Sequence, residues 1–295
     1  MPGRISFHLC GLSLLQRLRT PALLSSALML AFCATSRAQS SPGANPQPPS
    51  GGNSDSIPDA PLPQSTNPAP PKGADAVTLR NTPIHILKDQ AVVWTSPARI
   101  RTPDLTWMVP LGLATTVAIT ADHQTMSSVV SQNASFNNHN ITASNVLLGG
   151  FIAVPVALFG VGQLHKNEQS RETGILGGEA MVDGLVVEEG MKLIFLRERP
   201  SLDGAKGKFF QTSVGFNSSF PSNHSVLAWS SASVIASEYP SRLVQLGAYT
   251  LATGVSLTRV LGQQHFPSDV LVGSAVGWLV GRYVYRKHHR VSDDD

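Results

Sequence analysis

Two histidines, one aspartate and three cations stand beside apolar segments in the second half of the chain. They fall in three short stretches. In "KLIFLRERP", Lys192 to Pro200, seven residues separate Lys192 from Arg199. That is close to two helical turns, so a helix would present both cations on one face, and Pro200 would end it. In "FPSNHSVLAW", residues 220 to 229, Ser222 precedes a helix-like apolar run and is a candidate N-cap. The backbone N–H groups of Asn223 and His224 would then point out of a helix start, which the dipole makes a ready anion site. His224 adds a proton donor there. In "TRVLGQQHFPSD", Thr258 to Asp269, Arg259 supplies a planar cation suited to phosphate oxygens. Pro267 fits the first helical position and puts Asp269 at N3, reaching back toward His265. A carboxylate that accepts from one imidazole nitrogen leaves the other as the nucleophile.

Each stretch alone has a plainer explanation: a basic helix end answering the macrodipole, a serine cap with an exposed histidine, a second cap with an incidental histidine. Together they place ionisable groups at the ends of apolar helices, which is costly unless the groups meet. Antiparallel packing of consecutive helices would bring the ends at 199, 222 and 267 to one side of a bundle. The combination suits phosphoryl transfer. Cations and N–H groups hold the oxygens, one imidazole attacks, and the other protonates the leaving oxygen.

Positioning these groups falls to six mostly apolar segments: 105 to 121, 144 to 164, 174 to 197, 225 to 238, 243 to 257 and 267 to 284. None shows period-two alternation, so the fold class is all-α, a bundle of about six helices with no sheet. "IHILKDQAVVWTS", 84 to 96, reads as a further short amphipathic helix lying on the core or a membrane surface. Only 14% of residues are charged, well under the usual quarter, which points to a membrane-embedded or membrane-associated bundle. Only 144 to 164 reaches spanning length without strain. The modest net charge of +3 gives little support for nucleic-acid binding.

The N-terminus, 1 to 38, reads as an export signal with a basic start, an apolar run and a small-residue cleavage site after Ala38. Both cysteines, Cys10 and Cys33, fall inside it, so a mature chain would have no thiol chemistry. Residues 39 to 80 read as a Pro/Ser/Gly-rich disordered tether, and 81 to 290 as the helical domain. Basic residues at 165 to 171 and in the C-terminal tail would put both chain ends in the cytoplasm, whereas a cleaved signal would put the mature N-terminus outside. A soluble or peripheral periplasmic bundle would remove that conflict.

The three stretches resemble the signature motifs of the type 2 phosphatidic acid phosphatase and vanadium haloperoxidase superfamily, K-x6-R-P, P-S-G-H and S-R-x5-H-x3-D. The chain has the first intact, then P-S-N-H and T-R-x5-H-x3-D, in order. The resemblance spans roughly 105 to 285 and implies an all-helical, cofactor-free and metal-free phosphomonoester hydrolase. It implies that His265 attacks phosphorus and becomes a phosphohistidine, that Asp269 orients it, and that His224 is general acid and then base. Lys192, Arg199, Ser222, Asn223 and Arg259 would hold phosphate oxygens. Asn223 replaces the family glycine but keeps its N–H, and Thr258 replaces serine but keeps the hydroxyl, so activity is expected.

A phosphorylated lipid, such as phosphatidate or an isoprenyl diphosphate, is the implied substrate of a membrane bundle acting in the inner membrane on the periplasmic side. A soluble periplasmic acid phosphatase for small phosphomonoesters is the alternative. A vanadate-dependent haloperoxidase and an inactive membrane protein are further readings, disfavoured by the lack of long insertions and by the complete ionisable set. Other groups read as incidental. Glu179 and Asp183 lie one turn apart with no histidine nearby in sequence, which argues against a metal site. His123 and His139 read as loop residues, and "HKNEQSR" as a solvated loop.

Overall fold

Each apolar segment folds as an α-helix in a computed structural model that describes residues 77–290. There are seven α-helices and no strand among the described residues. The amphipathic stretch is α1 (Thr82–Thr95), followed by α2 (Leu105–Gln124), α3 (Ala134–His165), α4 (Glu168–Phe195), α5 (Asn223–Glu238), α6 (Arg242–Leu261) and α7 (Pro267–His288). The all-α bundle expected from the pattern is therefore present. The proposed signal and most of the tether lie outside the described residues. Val77, within the stretch read as tether, is buried against Ile175 and Leu176 of α4, so packed structure reaches back to that residue.

The 122–143 stretch is not a loop. His123 lies in the last turn of α2, a π turn covers Thr125–Val129, and α3 starts at Ala134. Asn133 starts it, its side chain accepting the Phe136 N–H at 3.0 Å. The polar run Asn137 to Thr142 hid this helix from a reading based on apolar residues, and His139 sits inside it. "HKNEQSR" likewise holds the cap of α4: Asn167 accepts the Ser170 N–H at 2.8 Å, and Arg171 donates to the Val77 carbonyl at 3.3 Å.

α2 to α7 run up and down. α5 is the central rod, packing on α3, α4, α6 and α7. Many of its buried side chains are small, among them Ser225, Ala228, Ala232, Ser233 and Ala236. Facing it, α7 carries Gly273, Gly277 and Gly281 at four-residue intervals. A Cβ at Gly277 would collide with the Val226 carbonyl oxygen, and one at Gly273 would stand 2.8 Å from the Ser222 carbonyl oxygen. The two backbones therefore approach as closely as glycine allows, the small-residue packing common between helices in lipid. Buried serines bond across helices: Ser231 donates to the Phe151 carbonyl and Ser233 to the Trp278 carbonyl, each at 3.1 Å.

Apolar side chains also cover much of the outside. Thr102–Val129 and Ala134–His165 are long and apolar enough to cross a membrane. None of the most apolar stretch of the first and only 22% of that of the second is buried within the protein. Val117 on α2 and Val156 on α3 are 60% and 67% exposed. Exposed apolar helix faces of this extent mark an interaction surface rather than ordinary soluble exterior.

Candidate active site

The helices gather one set of ends at a single pole: the C-termini of α2, α4 and α6 and the N-termini of α3, α5 and α7. Backbone and side-chain bonds hold that pole together. The Ser222 N–H donates to the Asp269 carbonyl at 3.1 Å, joining the starts of α5 and α7. Arg199 Nη1 donates to the Gln264 carbonyl at 3.1 Å, and its Nε reaches the Asn217 side chain at 3.0 Å. The three stretches singled out from sequence thus meet.

Their local geometry differs from expectation in three places. Lys192 lies in the last turn of α4, but Arg199 does not share its helical face. Leu196 turns left-handed at φ 43° and ends the helix, with its N–H on the Lys192 carbonyl at 2.9 Å. Arg199 is then delivered by the following loop. Ser222 is the N-cap residue of α5, yet its side chain makes no capping bond. Its buried Oγ has no hydrogen-bond partner among the described residues.

The third difference concerns His265. It is buried, at 2% exposure, and its Nδ1 lies 2.7 Å from the Ser219 carbonyl oxygen. A carbonyl only accepts, so Nδ1 carries the proton and Nε2 keeps its lone pair. Asp269 Oδ2 is 3.7 Å from Nδ1, beyond hydrogen-bond range. Asp269 sits at N3 of α7 as the sequence implied, but it accepts from the Phe266 N–H at 2.8 Å and from Arg197 at 2.6 Å. A backbone oxygen rather than the carboxylate makes the direct bond to His265.

The remaining groups surround that imidazole. Lys192 Nζ is held by Glu188 at 2.8 Å and Glu189 at 3.1 Å. Asn223 Nδ2 points toward Glu188 at 3.4 Å. Arg259 Nη1 reaches Ser144 Oγ at 3.3 Å, while its buried Nε has no hydrogen-bond partner among the described residues. His224 Nε2 lies 2.9 Å from Asn145 Oδ1 on α3.

The field at this pole is strongly positive. Burial first, then Arg259, His265, Arg199 and Lys192, push the His224 pKa down to about 3. Burial, then Arg199 and Arg259, hold His265 well below the usual 6.5. Burial likewise lowers Arg199, against the pull of Asp269 and Glu188. Both imidazoles are neutral beside three cations. Two buried donors, Ser222 Oγ and Arg259 Nε, lack partners, and each unmade bond costs about 1–3 kcal/mol. Such a site is complementary to a polyanion with several acceptor oxygens.

One residue that sequence reasoning passed over organises the floor of the site. Arg197 is 1% exposed and bonds Asp269 Oδ1 and Ser268 Oγ at 2.6 Å, Asp122 Oδ2 at 2.8 Å and the Gly207 carbonyl at 3.2 Å. Its guanidinium is sandwiched between Phe209 and Phe266, 4.6 and 4.1 Å from the ring centres. Gly207 is left-handed at φ +57°, and a Cβ there would stand 2.6 Å from the Phe266 ring. The available signals were Asp122, a charge in an apolar segment, and a second arginine two residues before Arg199.

The family model described as PAP2 superfamily matches residues 175–293. That match covers the second half of the helical bundle, from α4 to the end of α7. The match contains all eight motif residues, while Asp122, Ser144 and Asn145 reach the site from α2 and α3 outside it. The chain is also similar to the "Lipid A 1-phosphatase" of Porphyromonas gingivalis, 34% identical over 110 residues, or 37% of this chain. The chain spans only 22% of that relative's length. Among solved structures it is similar to a transmembrane PAP2 type phosphatidylglycerolphosphate phosphatase from Bacillus subtilis, with 18% identity and a TM-score of 0.45 over 73% of this chain and 100% of that one.

Proposed function

We propose that the chain is a PAP2-type phosphatase that hydrolyses phosphomonoesters through a phosphohistidine, with a phosphorylated lipid as the substrate class. The observation that carries the reading is a buried neutral His265, with Nε2 free to attack, beside Lys192, Arg199, Arg259 and a second histidine. These cations, Ser222 Oγ and the N–H groups of Asn223 and His224 hold the phosphate oxygens. His265 Nε2 attacks phosphorus, forming the P–N bond as the P–O bond to the leaving alcohol breaks. His224 gives its proton to that oxygen. It then takes a proton from water, which attacks phosphorus and breaks the P–N bond, restoring His265 and releasing inorganic phosphate. A bound phosphate dianion neutralises the cations that depress His224, which raises its pKa and lets it act as an acid. No step requires a cofactor or a metal ion. Asp269 acts through the Arg197 network and the backbone of the loop rather than by a direct bond to His265.

The exposed apolar flank of α2 and α3 supports a membrane location over the soluble alternative. Lys166, Arg171, Arg282, Arg286 and Lys287 lie at or near the pole opposite the site, so the positive-inside tendency turns the site outward, to the periplasmic side of an inner membrane. The test uses purified full-length protein in detergent micelles with a long-chain phosphatidate, in EDTA. Phosphate release that falls by roughly 10^3-fold or more in His265→Ala, with an acid-labile phosphoenzyme lost in the same variant, is the expected result. Turnover by His265→Ala equal to wild type would refute it.

A further inference from the structure

Toward the other end of the bundle, well away from the phosphate site, three helices bury a second ionisable cluster. α1 brings His85 and Asp89, α4 brings Glu179 and Asp183, and α7 brings His288. Within each of the trios His85–Glu179–His288 and Asp89–Glu179–Asp183 the ligand-type atoms lie within 4.8 Å of one another. Sequence spacing hid this, because the histidines beside Glu179 come from distant helices. Glu179 is 13 residues before Lys192, roughly 20 Å along α4.

Glu179 is 1% exposed, and neither carboxylate oxygen has a hydrogen-bond partner among the described residues. Its Oε1 stands 3.5 Å from His288 Nε2 and 3.7 Å from His85 Nδ1. Those separations are too long for hydrogen bonds. They match the roughly 3.4 Å between donors on a tetrahedral ion with bonds of about 2.1 Å. The two imidazole rings stack with centroids 4.4 Å apart and planes 11° from parallel. Asp89 is met by Lys287 and His288, each at 2.7 Å, and Asp183 by Gln90 at 2.8 Å. Three buried carboxylates gather here around one ammonium, a grouping that is costly unless the acids are paired, protonated or bound to metal.

From these positions we infer that His85, Glu179 and His288, with Asp89 or Asp183, bind one divalent transition-metal ion of the zinc or manganese class. Two imidazoles with carboxylate oxygens are the donor set such ions take. Ion binding at His288 Nε2 takes the place of its contact with Asp89, with the imidazole proton carried on Nδ1. Its role is structural: it clamps α1 and the C-terminal end of α7 onto α4, and it takes no part in phosphate chemistry.

The experiment uses untagged full-length protein, stripped with EDTA, dialysed and reloaded with Zn²⁺ or Mn²⁺. Elemental analysis should find one ion per chain in wild type and in His265→Ala, and none in Glu179→Gln or His288→Gln. At an ion concentration about 100-fold over Kd, wild-type Tm should rise by roughly 5–10 °C, and that of Glu179→Gln should not move. Should the variants fail to fold, Co²⁺ added to wild type should give visible ligand-field bands that Zn²⁺ abolishes. Absence of stoichiometric uptake and of those bands in wild type would overturn the inference, with Glu179 then held as a neutral acid. So would unchanged uptake by folded Glu179→Gln, or uptake lost in His265→Ala, which would place the ion at the phosphate site.

Discussion

Replacing Arg197 with Met keeps an unbranched apolar stem while deleting the guanidinium that lies between Phe209 and Phe266, and its charge with it. The guanidinium is bonded to Asp122, Asp269 and Ser268. Without it two carboxylates are left buried on neighbouring helices. Breaking one buried ion pair by removing a single partner costs about 3–5 kcal/mol. In a domain of this size each kcal/mol moves Tm by roughly 2–4 °C, so Arg197→Met should melt roughly 6–20 °C below wild type. Thermal unfolding in detergent, followed by circular dichroism, measures it. Adding Asp122→Asn to that background removes one stranded charge and should recover part of the loss, a coupling of about 0.5–3 kcal/mol. Turnover should fall as well, because Asp269 and the start of α7 are no longer anchored beneath His265. An Arg197→Met protein that melts within about 2 °C of wild type, or a double variant whose losses simply add, would refute the bridging role.

Three other outcomes follow from the same geometry. His265 is held neutral in the folded chain but titrates near 6.5 unfolded, so the unfolded chain binds the extra proton. Stability is therefore lost as pH falls below about 6.5, by about 1.4 kcal/mol per pH unit, and Tm between pH 7 and 5 should decline less steeply in His265→Gln. Gly277→Val would drive a side chain into the Val226 carbonyl and part α5 from α7, costing about 1–3 kcal/mol and lowering kcat through the Ser222–Asp269 contact; an unchanged Tm would contradict the close packing. Asn145→Ala removes the partner of His224 Nε2 and should lower kcat about tenfold with little change in KM, with a shifted pH profile; an effect on KM alone would point to substrate contact instead.

Much of this molecule is legible in its residues because the site sits on helix starts, which obey local rules. Pro267 at the first position and Asp269 at N3 are visible without coordinates, as is the start of α5 after Ser222. Helix ends are less so. Nothing in "KLIFLRERP" marks Leu196, a γ-branched residue, as the left-handed stop, so spacing alone puts Arg199 on a helix it does not belong to. The polar start of α3 defeated a reading that looked for apolar runs. The long-range partners were invisible for a different reason. Arg197 with Asp122, His224 with Asn145, and Glu179 with His85 and His288 are set by which helices neighbour each other, and one sequence does not state that order.

The oxygen that keeps the proton on His265 Nδ1 belongs to a peptide bond. No side-chain replacement can delete it. It can only be moved, and the strand of loop bearing it is stapled to the next one: the Ser219 N–H donates to the Arg197 carbonyl at 2.8 Å and the Arg197 N–H to Ser218 Oγ at 2.9 Å. In the proposed reaction, side chains around the pocket rim could therefore change the leaving alcohol, while the Nδ1–H tautomer is inherited with the main chain.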